Sequence, residues 1–430
     1  MSTQTESNLP VAVLGAGPVG LAAAAHLLQR GLEPLVLEAG PHVGAHVREW
    51  GHVRLFSPWK MDVDAAARRL LENEGWNEPD PEAWPTGGDL VERYLEPLAR
   101  TRALAPRLRF GARVVGVARR GWDKLKTEGR EQEPFAIHVE TESGEIEVIL
   151  ARAVLDATGT WSRPNPLGSN GLPAPGERRF GDAVAYGIPD VLGSERETYA
   201  GHTTLVAGAG HSSFHAVLDL LELSETAPDT RVVWAVRSAD PGRLWGGETQ
   251  DQLSARGALG RRVREVTESG ALQLVTGFRT AALQADGEGM AVQGEDGRVL
   301  TGVDRIVAAT GFRPDLTMLS ELRLDLDPVV ESPRVLAPLI DPNVHSCGTV
   351  PPHGARELAH PEPGFFVVGM KSYGRAPTFL LKTGYEQVRS IAAELAGDVE
   401  AARQVCLTLP ETGVCSLDGM RDRVAAAACC

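Results

Sequence analysis

Gly15, Gly17, Gly20 and Glu38 are the first residues in the chain whose types and spacing suit chemistry. The three glycines form G-x-G-x-x-G. The first allows a tight turn, the second lets backbone approach a diphosphate, and the third lets a helix pack closely on a strand. Glu38 follows at about 20 residues, the distance at which an acid reaches a ribose hydroxyl pair. The flanking elements must place these groups. Val11 to Leu14 is an apolar run suited to a buried parallel strand. An Ala/Leu run from about Val19 to Arg30 predicts a helix, whose first N–H groups and partial positive charge suit an anion. Leu35 to Leu37 then predicts the strand that delivers Glu38. Together these predict a dinucleotide cradle.

A second cradle follows about 190 residues later, a separation that makes each motif more informative. Thr203-Thr-Leu-Val-Ala leads into Gly208-Ala-Gly210-His211-Ser212-Ser213, with Ser213 in place of the third glycine. The next predicted strand, Val232 to Arg237, ends in an arginine rather than an acid. Such an arginine accommodates a 2′-phosphate, which points to NADPH over NADH. Val154-Leu-Asp-Ala-Thr158-Gly159 and Val307-Ala-Ala-Thr310-Gly311 bracket this motif with the same ending. A Pro-rich exit, Thr160 to Gly168, follows the first of them. Two similar crossings are what an inserted domain requires. The expected fold is α/β with two Rossmann-type domains: an outer one in parts 1–160 and 311–397, an inserted one at 161–310, and a tail at 398–430.

Between the motifs, residues 44–62 carry His, Arg, Trp and Phe without a clear period, and are read as a loop able to lie along a cofactor. Asp64 to Glu74 predicts a helix, and Thr86-Gly-Gly-Asp89 predicts a cap for a second, Leu90 to Leu104. Arg109 to Arg119, Phe135 to Glu140 and Glu145 to Ala153 predict a small antiparallel meander. Gly364 to Val368 predicts a buried strand, and Pro377 suits the first turn of a helix running to about Ala396. The 430 residues are 43% hydrophobic and 23% charged, with net charge −14. This is a globular composition, and its sign argues against nucleic acid or an anionic membrane as main partner. No apolar run approaches the ~18 residues of a span. Met1 to Leu9 is polar and lacks a signal-like pattern, so a cytoplasmic location is expected. Leu409-Pro-Glu-Thr-Gly413 is not read as a sorting signal, because no apolar anchor follows it.

The layout resembles the two-dinucleotide-binding flavoproteins, and within them the flavin-containing monooxygenase-like group, over about residues 10 to 397. Gly15 to Gly20, Glu38, Pro85-Thr-Gly87, Tyr94-Leu-Glu-Pro97, both Ala-Thr-Gly segments, Gly208-Ala-Gly210 and Gly364 to Leu381 carry the likeness. It implies FAD on the first motif, NADPH on the second, and a reduced flavin that reacts with dioxygen to oxidise a small molecule. The candidate cofactor contacts are Gly15, Gly17, Pro18, Val19, Gly20, Glu38, Ala39, Ser57, Trp59, Val114, Thr158, Gly159, Gly208, Gly210, His211, Ser212, Ser213, Arg237, Thr310, Gly311, Gly369, Thr378 and Phe379. More narrowly, Cys347 to His353, Gly369 to Leu381 and Leu409 to Cys415 are similar to flavoproteins found with bacterial arsenic-resistance genes. The chain departs from the monooxygenase pattern after Phe180-Gly181, where the fingerprint His is absent.

The absent His keeps a reductase of a thiol, metal or quinone as the alternative. No C-x-x-C pair accompanies either motif, which opposes a redox-disulfide enzyme. The five cysteines suggest no disulfide framework. Cys429 and Cys430 form an adjacent thiol pair, and soft thiolates bind Hg(II) or trivalent arsenic. No zinc pattern is found, and no metal site is assigned. A flavin-holding sensing module is the remaining class. No catalytic side chain is assigned, and the oligomeric state, with a homodimer as one option, is left open.

Overall fold

The computed structural model describes residues 9–141, 143–245, 253–344, 351–376 and 379–407. These residues divide into two compact units: one built from 9–162, 313–344 and 351–407, the other from 163–312.

The first unit begins with β1 (Val11–Leu14), α1 (Pro18–Gln29) and β2 (Pro34–Leu37). Every residue of β1 is buried, which explains its unbroken apolar run. Its side chains alternate between two layers. Val11 and Val13 face α1 and its alanines, while Ala12 and Leu14 face a second apolar cluster. Helix α2 (Ala65–Glu72) is capped by Asp64, whose carboxylate accepts the Ala66 and Ala67 N–H groups.

The next helix is where the structure departs from the sequence reading. It runs from Gly87 to Ala99 rather than from Leu90 to Leu104, and Val91–Leu95 is wound as a π-turn. Thr86 and Asp89 form a capping box that sets the early start. Pro97 has no N–H to donate to the Arg93 carbonyl, and that carbonyl instead accepts the Trp76 indole N–H at 2.8 Å.

Short β3 (Leu108–Arg109) precedes the antiparallel meander β4 (Arg113–Arg119), β5 (Phe135–Glu140) and β6 (Ile146–Ala151), and β7 (Ala153–Asp156) re-enters the main sheet. The meander covers one face of that sheet through Val117, Phe135, Ile137 and Val139.

The second unit repeats the plan. It contains β8 (Val184–Tyr186), β9 (Thr203–Ala207), α3 (His211–Thr226), β10 (Arg231–Ala235), α4 (Ser254–Glu268) and β11 (Gln273–Val275). A second meander follows, β12 (Thr280–Asp286), β13 (Gly289–Gly294) and β14 (Val299–Val303), and then β15 (Arg305–Ala308). The chain returns to the first unit for β16 (Phe365–Val367) and α5 (Leu381–Leu395). Helix α5 starts later than the expected position at Pro377, which itself lies outside the described residues.

The main sheets are fully parallel, ordered β16-β7-β1-β2-β3 and β11-β10-β9-β15-β8. Register does the positioning. Leu14 pairs with Leu37 and Asp156, and Asp156 with Val367, so Gly15, Glu38, Ala157 and Val368 leave the sheet at one level. In the second unit Ala207 pairs with Ala235 and Ala308, which aligns Gly208, Val236 and Ala309. Ligands of open parallel sheets bind beyond such carboxyl ends. Among the described residues no helix is long and apolar enough to cross a membrane.

Candidate functional site

In the first cradle, Gly15 adopts φ +95°, and a Cβ there would meet the Ala157 carbonyl oxygen at 2.9 Å. Only glycine allows this turn to lie so close to the end of β7. Gly17 is the N-cap of α1, and a Cβ on it would meet nothing within 4 Å. The Gly17, Val19 and Gly20 N–H groups have no acceptor among the described residues, while Leu21 N–H already bonds the Gly17 carbonyl at 3.0 Å. Pro18 lacks an N–H and presets the first turn. An open rim with unpaired donors at a helix N-terminus suits a diphosphate.

Glu38 is half-buried and accepts two backbone N–H groups, Ala16 at 2.7 Å on Oε2 and Gly40 at 2.8 Å on Oε1. Each oxygen keeps a second lone pair for a ribose hydroxyl. Ala39 is exposed beside it. Val114 lies two residues past Ala112, whose N–H bonds the Glu38 carbonyl at 2.8 Å.

The Thr158 turn is held from below. Thr158 donates its N–H at 3.1 Å and its hydroxyl at 2.7 Å to Asp156 Oδ1. Gly159 N–H has no acceptor among the described residues, and the side where a Cβ would project is open. The turn's free donor is therefore Gly159 rather than the Thr158 hydroxyl.

Other expected contacts point elsewhere. Ser57 is buried and donates to Asp62 Oδ1 at 2.6 Å. Trp59 is 1% exposed in the core, with the Arg93 guanidinium 5.7 Å from its ring centroid. The short helix Trp59–Asp62 carries Trp59 into the core, and Ser57 is buried two residues before it, held by its bond to Asp62. Gly369 N–H is already bonded to Gln387 Oε1 at 2.8 Å. Phe379 meets Tyr373 edge-on at 5.2 Å, and its ring would lie 2.8 Å from a Cβ on Gly384. Thr378 lies outside the described residues, as do Cys347, Cys415, Cys429 and Cys430. Cys406 is a free, exposed thiol. No cluster of three or more His, Cys, Asp or Glu able to hold a metal occurs among the described residues.

The second cradle has the same construction with different anchors. Gly208 adopts φ +141°, and a Cβ there would lie 2.2 Å from the Ala309 carbonyl oxygen. Its own carbonyl accepts the Trp234 indole N–H at 2.8 Å. Gly210 is the N-cap of α3, with open space at its Cβ position. The Gly210 and Ser212 N–H groups have no acceptor among the described residues. Ser213 is buried and donates its hydroxyl to the Gly210 carbonyl at 2.6 Å, while the His211 ring packs 5.4 Å from Phe214. Arg237 is exposed two residues past β10 and forms no ion pair with a described residue. Thr310 and Gly311 pin the two crossings together: Asn165 N–H donates to the Gly311 carbonyl at 2.9 Å, and Asn165 Nδ2 to the Thr310 carbonyl at 3.1 Å.

Sequence reasoning missed Lys371, whose Nζ lies 2.6 Å from Asp156 Oδ2 with both side chains buried. It also missed Asp62, whose Oδ2 is buried without a partner among the described residues. Burial raises the Asp62 carboxyl to about 7, against the lowering effect of its Ser57 hydrogen bond.

Residues 128–343 match the family model described as pyridine nucleotide-disulphide oxidoreductase, and residues 13–77 match an NAD(P)-binding Rossmann-like domain. The chain is 32% identical over 219 residues to indole-3-pyruvate monooxygenase YUCCA1 of Oryza sativa subsp. japonica, a match covering 50% of this chain and 46% of the rice protein. It is 26% identical to a ferredoxin–NADP reductase of Salinispora tropica, over 74% of this chain and 79% of that one. Among solved structures, bacillithiol disulfide reductase from Bacillus cereus superposes with a TM-score of 0.65 at 20% identity, covering 90% of this chain and 99% of that one, a likeness of fold. The first family match takes in half of the chain, and the chain belongs to the pyridine nucleotide-disulphide oxidoreductase family.

Proposed function

We propose that this oxidoreductase holds FAD in the first cradle and NADPH in the second, and uses them with dioxygen to oxidise a small soft nucleophile: a sulfur, a nitrogen or trivalent arsenic. The observation that carries the reading is the pair of strand–glycine–helix cradles, one followed by an acid and the other by an arginine. The rice relative, a monooxygenase by name, supports the oxygen-using form.

The first cradle fits a flavin dinucleotide. Gly17, Val19 and Gly20 offer N–H groups to a diphosphate, Glu38 offers lone pairs to a ribose, and Gly159 offers one further donor. The second offers Gly210 and Ser212 N–H groups, with Arg237 for a 2′-phosphate. A bound flavin supplies the two-electron chemistry between nicotinamide, oxygen and substrate. The chain's own work is binding and orientation, so no strong acid or base is required of its side chains.

A second reading, NADPH-dependent reduction of a thiol, metal or quinone, is favoured by the reductase relative, whose match covers 74% of this chain. Anaerobic mixing with NADPH, then with labelled dioxygen and candidate substrates, separates the two. Bleaching of the flavin band, followed by substrate carrying one labelled oxygen atom, supports the monooxygenase. Bleaching with electrons passing to an acceptor without oxygen supports the reductase. A preparation that takes up no flavin refutes both.

A further inference from the structure

Asp156 ends β7, and Lys371 lies in the turn Gly369–Tyr373 that follows β16. The two strands pair through Val367 and Asp156, and their other residues are apolar, so closing the sheet does not call for an ion pair here. Lys371 nevertheless donates to Asp156 Oδ2 at 2.6 Å and to Thr158 Oγ1 at 2.9 Å. Lys371 is 1% exposed and Asp156 is fully buried. A buried ion pair adds little net stability over an apolar pair of the same shape, so its value is geometric.

The geometry is specific. Asp156 Oδ1 takes both the N–H and the hydroxyl of Thr158, Oδ2 takes Lys371, and Lys371 closes the loop on the same hydroxyl. Thr158 thus spends its hydroxyl proton on Asp156 and a lone pair on Lys371. The turn can then offer only its outer edge, where Gly159 stands at φ +70° with a free N–H and open space beside it. The same turn abuts the first glycine of the cradle, since a Cβ on Gly15 would lie 3.2 Å from Thr158 Cα. The ammonium itself bonds the Thr158 turn, through the Asp156 carboxylate and the Thr158 hydroxyl.

We propose that Lys371 is a positioning residue for the first cradle, acting through Asp156 and Thr158 to aim the Gly159 N–H at a bound dinucleotide. This rests on the reading that the first cradle holds FAD. The test is FAD titration of the full chain, with the vibronic shape of the flavin band and the NADP+ affinity read in parallel. Lys371→Met, and the charge-neutral Lys371→Met/Asp156→Asn that leaves no lone buried carboxylate, are each expected to raise the FAD dissociation constant at least tenfold and to blur the band. NADP+ affinity stays at the wild-type value. Thr158→Val gives a similar loss, and its combination with Lys371→Met is no worse than the larger single loss, because both cut one tether. Wild-type FAD affinity in the charge-neutral variant, or losses that multiply in the Lys371/Thr158 pair, overturns the assignment of Lys371 and leaves the flavin reading intact. A wild-type chain that takes up no FAD overturns the flavin reading, and this inference with it.

Discussion

Glu38 Oε2 accepts the Ala16 N–H at 2.7 Å across 22 residues of chain, which ties the end of β2 to the glycine turn after β1. With Gly40 on Oε1, the carboxylate organises its own rim. Glu38→Gln keeps the shape but turns one acceptor into a donor, setting N–H against N–H. Leaving that contact unmade costs about 1–3 kcal/mol, and we expect FAD affinity to fall by about one to two orders of magnitude. Fluorescence titration of the apoprotein measures it; an unchanged affinity counts against Glu38 as a ribose ligand.

Two glycines of the same motif are expected to fail in different ways. Gly17 has φ −80° and nothing within 4 Å of a Cβ, so Gly17→Ala fits the fold and fills only the space a diphosphate would take. Its apoprotein stability should stay within about 0.5 kcal/mol of wild type while FAD binding is lost. At Gly20 a Cβ would lie 2.0 Å from the Gly15 carbonyl oxygen. Gly20→Ala therefore forces α1 off β1 and should cost about 1–3 kcal/mol. Urea unfolding with and without FAD tells the two apart.

Arg237 stands exposed after β10, without an ion pair among the described residues. A guanidinium there distinguishes NADPH from NADH only through the 2′-phosphate. Arg237→Ala should weaken NADPH by about 1.5–3 kcal/mol, the worth of a charged hydrogen bond, and leave NADH untouched. Equal losses for both nucleotides would place Arg237 outside the phosphate site.

Much of the two cradles was legible from local pattern. An apolar run of four, a glycine triplet and an acid at fixed distance are short-range signals, and the structure aligns Gly15 and Glu38 at one level through the β1–β2 register. What stayed hidden depends on partners far apart. Lys371 and Asp156 are 215 residues apart, and neither carries a local sign of the other. Ser57 and Trp59 occupy a segment without period, and only packing shows that they turn into the core. The second meander did leave a trace in the turn glycines Gly287 and Gly297, but its strands mix apolar and small polar residues too evenly to reveal a face.

Glu362 joins the first meander to the chain after β15. Arg119 Nε and Arg130 Nη1 donate to it at 2.7 and 2.8 Å on Oε1, Arg130 reaches Oε2 at 2.7 Å, and all three side chains are buried. Burial pushes the Glu362 carboxyl up, but the Arg119 guanidinium, the Arg323 N–H and the Arg130 guanidinium together hold it below its usual range. Glu362→Gln leaves two buried guanidinium groups without a countercharge and should cost about 3–5 kcal/mol. Because the folded carboxyl is depressed, its contribution is full above the ordinary carboxylate range and fades as pH falls through the folded value. Wild type should therefore lose its advantage over the variant in acid, as paired urea midpoints at pH 7 and pH 3 would show.

Asp62 has the opposite sign. Its Oδ2 is buried without a partner among the described residues, and burial raises the carboxyl from 3.8 to about 7, with Ser57 opposing. The folded chain thus holds a proton that the unfolded chain releases between these values, and the stability linked to this group declines as pH rises across them. Above about 7 the site must either ionise with no described residue bonded to Oδ2 to receive the charge or open toward water. Asp62→Asn keeps an acceptor for the Ser57 hydroxyl and cannot ionise. The variant should match wild type near pH 4 and exceed it at pH 8, by an amount on the order of a few kcal/mol. Urea midpoints collected across that range give the comparison, and parallel curves for the two proteins would show that Asp62 ionises normally in the fold.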